Sequence, residues 1–422
     1  MKPVLLVGLG GDIGVYAFLR AAHERYGWRP MVLSQHTTTF MRYTSLSDWV
    51  KEPQINTPEV LVQRLNTIAA EHPDHDLMLF TNLDWHVRAL AQHRADLDPR
   101  WAVPLCDLAT FDRVSSKVAF AEACAAVDVR TPLTIPVVFR PDAGGTKAAD
   151  VAARVAELGI EFPIIGKPAI SADWFAASFP GKAKIHHFTS LAELTEVIGH
   201  LDRLDYPSEF LLQEFVPGDE THMRSLTAYR NSKGKITLLA GGQVLLEEHT
   251  PGTMGIPAAI LTGVDDEAFA AASRVLEHTN YFGFANFDYK VSSRTGERVF
   301  FEVNPRIGRN SYYVTAAGIN VAGVAVRDLL PHHDKETEPT EPAVASGEIL
   351  YSVAPYRLLQ RYLLDPALKA KVAAAKARSG VFNPLDYRGD GSPRRRLYVK
   401  ALGWRLARKY REFYPEPTDS GF

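Results

Sequence analysis

The chain has very little cysteine: Cys106 and Cys124 are the only two in 422 residues. Two thiols cannot build a disulfide framework, and such scarcity fits a reducing compartment. Long apolar runs are also missing. No window approaches the roughly 20 apolar residues of a membrane-spanning helix. The short run in MKPVLLVGLGGDIG is cut at once by Asp12, with no cleavage-type segment behind it. Charge of one sign is missing too. The formal net charge of −2 gives no global argument for nucleic acid. The expectation is a cytoplasmic protein without a nucleic-acid partner.

Other absences are local. Gly8, Gly10 and Gly14 are spaced GxGxxxG, one residue longer than the dinucleotide fingerprint. After MVLSQHTTTF the first carboxylate is Asp48, too late to hold ribose hydroxyls, so nicotinamide binding is disfavoured. The glycines then read as a tight turn whose following helix can face an anionic group. There is no Ser-His-Asp or Cys-His arrangement to nominate a nucleophile. The pairs His186-His187 and His332-His333 lack cysteine neighbours, and adjacent strand residues point apart, which argues against zinc.

What is present is ordinary soluble composition, 46% hydrophobic and 23% charged, over a length that allows two to four modules. VLLV (4–7), Met31–Leu33 and Leu77–Phe80 read as strands alternating with helices. This predicts a doubly wound parallel sheet in the first part of the chain. The segment PHHDKETEPTEP (331–342) reads as a linker.

The polar chemistry concentrates in two strand-like runs, YFGFANFDYKV (281–291) and VFFEVNPR (299–306), joined by a turn. Alternation puts Glu302, Asn304 and Arg306 on one face, with Phe301 and Val303 on the other. Asp288 can face Glu302 across the hairpin. Two carboxylates and an amide oxygen form a hard oxygen set suited to Mg²⁺, and Arg306 can reach a transferring phosphoryl group. Upstream, FPIIGKPA delivers Lys167 from a buried strand, and TFDRVSSKVAF places Lys117 at a helix start. The run EFLLQEFVPGDETHMR (209–224) offers a strand edge around Glu214–Val216 for adenine, and Glu220 for ribose hydroxyls. Between them, 171–184 holds Lys182 and Lys184 as phosphate candidates.

Taken in order, Lys117, GKPA, QEFVPGDE, the NFDYK…FFEVNPR hairpin and SYYVTAAGIN resemble the ATP-grasp superfamily over roughly 110–330. The EVNPR element is the most specific part. The resemblance implies α/β and α+β architecture: a doubly wound N-terminal domain (1–108), two ATP-grasp lobes (109–212 and 213–330) and a linker with a basic C-terminal extension (331–422). It implies ATP between the lobes, with Lys117 and Lys167 on its phosphates. The hinge is Gln213, Glu214, Phe215 and Val216, and Glu220 meets the ribose. Asp288, Glu302 and Asn304 hold Mg²⁺, with Mn²⁺ as a substitute, and Arg306 stabilises an acyl phosphate. The loop 171–184 departs from the family's glycine-rich form, having only Gly181.

The family's chemistry joins a carboxylate to an amine after phosphorylating the carboxylate. Arg224, Arg309, Asn310 and Ser311 are candidates for the acidic substrate. GDIGVY, RNSYYVTAAG and the long C-terminal extension further resemble ligases that add D-aspartate to a peptidoglycan precursor. The alternatives are another ATP-grasp reaction, of dipeptide or carboxylase type, and a non-catalytic nucleotide-binding protein at membranes. RRRLYVKALGWRLARKYR (394–411) has eight basic residues and no acidic one. It reads as a helix with Tyr398, Leu402 and Trp404 on its apolar side and Arg394, Arg395, Arg405, Arg408 and Lys409 outside. Such a helix suits an anionic membrane surface, a phosphate-rich substrate, or packing on the protein body.

Overall fold

The computed structural model describes residues 2–140, 144–169, 171–183, 185–250, 253–337 and 339–418. The chain divides into two compact units, Met1–Val129 with Gly218–Phe422, and Arg130–Pro217. The residues after 330 thus share a unit with the N-terminal sheet.

That sheet contains β1 (Val4–Leu9), β2 (Met31–Ser34), β3 (Asp48–Lys51), β4 (Asp76–Thr81) and β5 (Trp101–Ala102) in the order β3-β2-β1-β4-β5. Every pair is parallel. β1 and β4 are nearly continuous apolar runs because both faces are covered, as parallel strands require. The sequence pattern missed β3 and β5. The first is a half-exposed edge and the second is two residues long. Asp12 caps the helix Ile13–Tyr26 through Val15 N–H, and Gly27 ends it in the left-handed region at φ +69°. Gly14 is needed for close approach. A Cβ there would lie 2.2 Å from Asn82 Nδ2 and 2.9 Å from Arg309 Cα.

The unit Arg130–Pro217 is built on β6 (Thr134–Val138), β7 (Thr146–Lys147), β8 (Ile164–Pro168), β9 (His186–Phe188) and β10 (Phe210–Glu214), ordered β7-β6-β10-β8-β9. Helices Val151–Glu157 and Leu191–Arg203 bury Val151, Val155, Leu194, Ile198 and Leu201 in a core of its own.

The second sheet of the larger unit contains β11 (Met223–Arg230), β12 (Ile236–Glu247), β13 (Pro257–Thr262), β14 (Gly283–Val291), β15 (Arg298–Asn304), β16 (Ala343–Val344), β17 (Leu350–Ser352) and β18 (Val381–Phe382). Its order is β15-β14-β11-β12-β13-β17-β18, with β16 beside β12.

Three expectations for the C-terminal third are corrected. The described part of 331–342 is no free linker: Asp334 is clasped by Arg25 at 2.6 Å and by Tyr26 Oη at 2.7 Å. His332 and His333 sit in a 3₁₀ turn rather than a strand. Both Nε2 atoms therefore reach Asp76 Oδ2, at 2.8 and 2.7 Å, instead of pointing apart. The basic segment does form a helix, Pro393–Phe413, but its faces differ from the expectation. Arg395 is 1% exposed and Trp404 is 80% exposed. Arg395 turns inward because Asp390, fully buried, awaits it at 2.8 Å. Asp390 also accepts from Tyr16 Oη at 2.9 Å and from Ser45 N–H at 2.9 Å.

Removing one partner of a buried ion pair strands the other charge in a low-dielectric site. Asp390→Ala is expected to destabilise the protein by about 3–5 kcal/mol, read as a lower urea midpoint. A loss below about 1 kcal/mol would show that the pair is not anchoring this segment.

Candidate active site

The hairpin of β14 and β15 pairs Asp288 with Glu302, Phe287 with Val303 and Asn286 with Asn304. Phe287 and Val303 enter the core, so Asn286, Asp288, Glu302 and Asn304 share the opposite face. The register then shifts beyond Asp288, so that Tyr289 pairs with Phe300. This β-bulge corrects the simple alternation: Phe300, not Phe301, is the next core residue, stacked on Tyr289 at 5.0 Å. Bulges commonly re-aim side chains beside functional sites.

Around the acids lie amides and cations. Asn304 Nδ2 donates to Asp288 Oδ2 at 3.2 Å, and Asn286 Nδ2 to Asp288 Oδ1 at 3.5 Å. Lys117, first residue of the helix Lys117–Ala125, places Nζ 3.8 Å from Glu302 Oε2. Arg306 donates to Asn304 Oδ1 at 3.2 Å and grips Asp84 with Nε at 2.7 Å and Nη2 at 3.2 Å. Burial, and then the charge of Glu302, push the Asp288 carboxyl well above the usual carboxylate range.

Arg309 lies in the loop after β15. Its Nη1 donates to Glu248 Oε1 at 2.8 Å, and its Nε is 3.7 Å from Asp12 Oδ2. Asn310 and Ser311 are interior positions. Asn310 donates to Ser225 Oγ at 3.2 Å, and Ser311 is fully buried. Arg224 pairs with Tyr289 while its neighbour Ser225 pairs with Asp288, so Arg224 faces away from the acidic cluster. Its guanidinium donates to the carbonyls of Thr221 and Met223. Glu220 is buried, with Oε2 accepting from Glu247 N–H at 2.8 Å and meeting His249 Nε2 at 3.1 Å.

In the unit Arg130–Pro217, two of the expected residues meet directly: Lys167 Nζ donates to Gln213 Oε1 at 2.7 Å. The neighbouring Gly166 has no room for a side chain, since a Cβ would stand 2.5 Å from the Phe188 ring. Glu214 accepts from Arg130 Nη2 at 2.6 Å and from Leu133 N–H at 3.0 Å. Phe215 lies edge-on to His187, and Val216 is buried. Lys182 donates to the carbonyl of Ala177 at 2.6 Å. Lys184 lies outside the described residues.

Sequence reasoning did not nominate Asn286, Asp84, Asp12 or Glu248. Asn286 was within reach, since it precedes Asp288 by two and shares its face. Asp84 and Asp12 meet their arginines only through folding, across more than two hundred residues.

Comparison with known proteins adds to this geometry. Residues 243–328 match the family model described as carbamoyl-phosphate synthase L chain, ATP binding domain. The D-aspartate ligase of Enterococcus faecium (strain Aus0004) is 30% identical over 329 residues, covering 77% of this chain and 76% of that protein. The chain belongs to the ATP-grasp carboxylate–amine ligases. A D-alanine–D-alanine ligase of Legionella pneumophila (strain Corby) is 24% identical over 190 residues, 41% of this chain and 49% of that protein. In fold, the chain is similar to N5-carboxyaminoimidazole ribonucleotide synthetase from Thermus thermophilus, with TM-score 0.56 and 17% identity, covering 82% of this chain and 81% of that one. As a member of this family the chain is an ATP-dependent ligase of an acid and an amine that works with a divalent metal. None of its helices, among the described residues, is long and apolar enough to cross a membrane.

The donor set around Asp288 fits such a metal: it is all oxygen, and it forces two carboxylates together at a cost that a dication would relieve. A cation then competes with a proton at Asp288. Cation binding near neutral pH is expected to release protons. Affinity should fall as pH drops, beginning above the ordinary carboxylate pKa of about 4. Calorimetry in buffers of different ionisation heats measures this. Glu302→Gln should reduce the proton release and weaken binding about tenfold or more. Affinity indifferent to both pH and Glu302 would place the metal elsewhere.

Proposed function

We propose that this ligase activates a free amino-acid carboxylate, D-aspartate, as an acyl phosphate and transfers it to an amine on a peptidoglycan precursor. One carboxylate oxygen attacks the γ-phosphorus of ATP, releasing ADP. The amine nitrogen then attacks the acyl carbon, phosphate leaves with the C–O bond electrons, and the amine loses a proton. A carboxylate is a poor electrophile, and phosphorylation supplies the leaving group it lacks.

The observation that carries this reading is the facing pair Asp288 and Glu302, flanked by Asn304 and Arg306, in a chain 30% identical to a D-aspartate ligase. Asp288, Glu302 and Asn304 would hold Mg²⁺, which when bound neutralises phosphate oxygens. Lys117 and Lys167 bind phosphate oxygens, and Arg306 exchanges Asp84 for the developing acyl phosphate. Gln213, Glu214, Phe215 and Val216 supply the adenine edge. The buried Glu220 holds Glu247 N–H and His249, and contact with ribose would require it to exchange one of them. Arg309 is the anchor for the acid's α-carboxylate, with Asp12 and Glu248 available to its ammonium. Asn310 and Ser311 shape that loop from inside.

Hydroxylamine replaces the amine and intercepts the acyl phosphate, so hydroxamate formation with ATP and Mg²⁺ tests the reading directly. D-aspartate is expected to give hydroxamate and L-aspartate much less, and Glu302→Gln should lower the rate about 10³-fold or more. Hydroxamate from a different acid would replace D-aspartate, and undiminished turnover by Glu302→Gln would remove the metal assignment.

A peripheral membrane contact is the second element of the proposal. It is favoured by Leu397 and Trp404, 72% and 80% exposed and seven residues apart on a basic helix. Co-sedimentation with anionic vesicles should fall severalfold in a Leu397→Ser/Trp404→Ser variant. Equal sedimentation of the two proteins would discard it.

A further inference from the structure

The helix Pro393–Phe413 is fastened at both ends, and Tyr398, Val399 and Leu402 rest on the core between them. Its start is locked by the buried Asp390–Arg395 pair, with the Arg395 guanidinium 4.3 Å above the Tyr16 ring. Its end is held where Tyr410 Oη donates to the carbonyl of Glu247 and where Tyr414 stacks on His249 at 3.6 Å. Beneath the middle, between this helix and the segment after β17, lies a cleft of about 690 Å³. That is within the usual range for small-molecule sites, about 300–1,000 Å³.

The lining of this cleft has a definite chemistry. Arg396, Lys400 and Lys409 border it, and among the described residues none of the three has an ion-pair partner. From Arg396 to Lys409 the helix runs about 20 Å, at 1.5 Å per residue. Val399 and Leu402 supply apolar surface between the cations. Among the described residues the acids on the lining are Asp386 and Glu248, and Glu248 is paired to Arg309. Arg309 itself borders the cleft, and it lies three residues beyond Arg306 on the same loop. Lys409 follows Lys400 by nine residues, two and a half helical turns, so Arg396 and Lys400 border one edge of the apolar strip and Lys409 the other. Cations on both edges recognise an anionic ligand lying between them, and the Arg309–Glu248 pair puts one part of that site next to the acid-binding loop.

We propose that this cleft is the acceptor site, taking an elongated amine whose body carries phosphate or carboxylate groups. The oxyanions lie between Arg396 and Lys400 on one edge and Lys409 on the other, and the amine is directed toward Arg309 and Glu248. The assignment to the amine rests on the ligase reading above; anion binding in the cleft does not.

The test uses the full chain saturated with ADP, in a chelator, so that the nucleotide site is filled. Inorganic diphosphate and a triglutamate peptide are titrated separately by calorimetry. At least one is expected to bind, more weakly as salt rises. The variant Arg396→Ser/Lys400→Ser/Lys409→Ser should weaken it about tenfold or more. The charge-conserving Arg396→Lys/Lys400→Arg/Lys409→Arg should bind within about threefold of the parent. Diphosphate binding names a phosphate-bearing acceptor, and triglutamate binding names an acidic peptide. Binding of neither, or undiminished binding by the serine variant, overturns the proposal. Should the triple variant fail to fold, Lys400→Ser alone is read in the same way. Hydroxamate formation by the unaltered enzyme needs no acceptor, so its failure would count against the ligase reading while leaving the cleft's result standing.

Discussion

The pairing register of β14 with β15 governs the polar site. With Phe287 opposite Val303 in the core, Asp288 has to stand opposite Glu302 on the other face. A slip of β15 by one residue would send Glu302 into the apolar interior and bring Val303 to the polar face. The aromatic stack of Tyr289 on Phe300, on the far side of the bulge, holds the strands against such a slip. The electrostatic tension between the two acids is therefore sustained by hydrophobic packing, whose summed strength exceeds the repulsion of a half-buried pair.

The two arginines after this hairpin are positioned by the N-terminal sheet. Arg306 meets Asp84, which follows β4, and Arg309 lies near Asp12, which follows β1. Both acids stand just beyond the carboxyl ends of parallel strands, where open α/β sheets place their ligand-binding groups. Gly14 makes this possible by letting Asn82 and the Arg309 backbone approach the helix at distances no Cβ would permit. The glycine turn that resembles a dinucleotide loop thus serves close packing.

The C-terminal segment is integral to the same unit. Asp390 collects a guanidinium, a tyrosine hydroxyl and backbone N–H from three separate parts of the chain. His249, stacked on Tyr414, also touches Glu220, so the helix end and the strap after β12 share one contact network. A helix held in this way has a defined inner face, where Val399, Leu402 and Leu406 line the cleft with exposed cations at its edges.

Local pattern carried much of this in the sequence. β1, β2 and β4 were legible as apolar runs broken by glycine or by helix-forming stretches, and the hairpin with Asp288 opposite Glu302 followed from strand periodicity. Lys117 at a helix start and Lys167 on a buried strand were legible for the same reason, since capping and strand burial act over a few residues. What folding alone decided involves distant partners or departures from ideal period. The bulge moved the core position from Phe301 to Phe300. A 3₁₀ turn brought His332 and His333 together on Asp76, and Asp390 drew Arg395 inward while Trp404 turned out. Asp84 and Asp12, which meet Arg306 and Arg309, come from chain segments more than two hundred residues away. Such contacts depend on how whole sheets and helices pack, and no short-range preference encodes them.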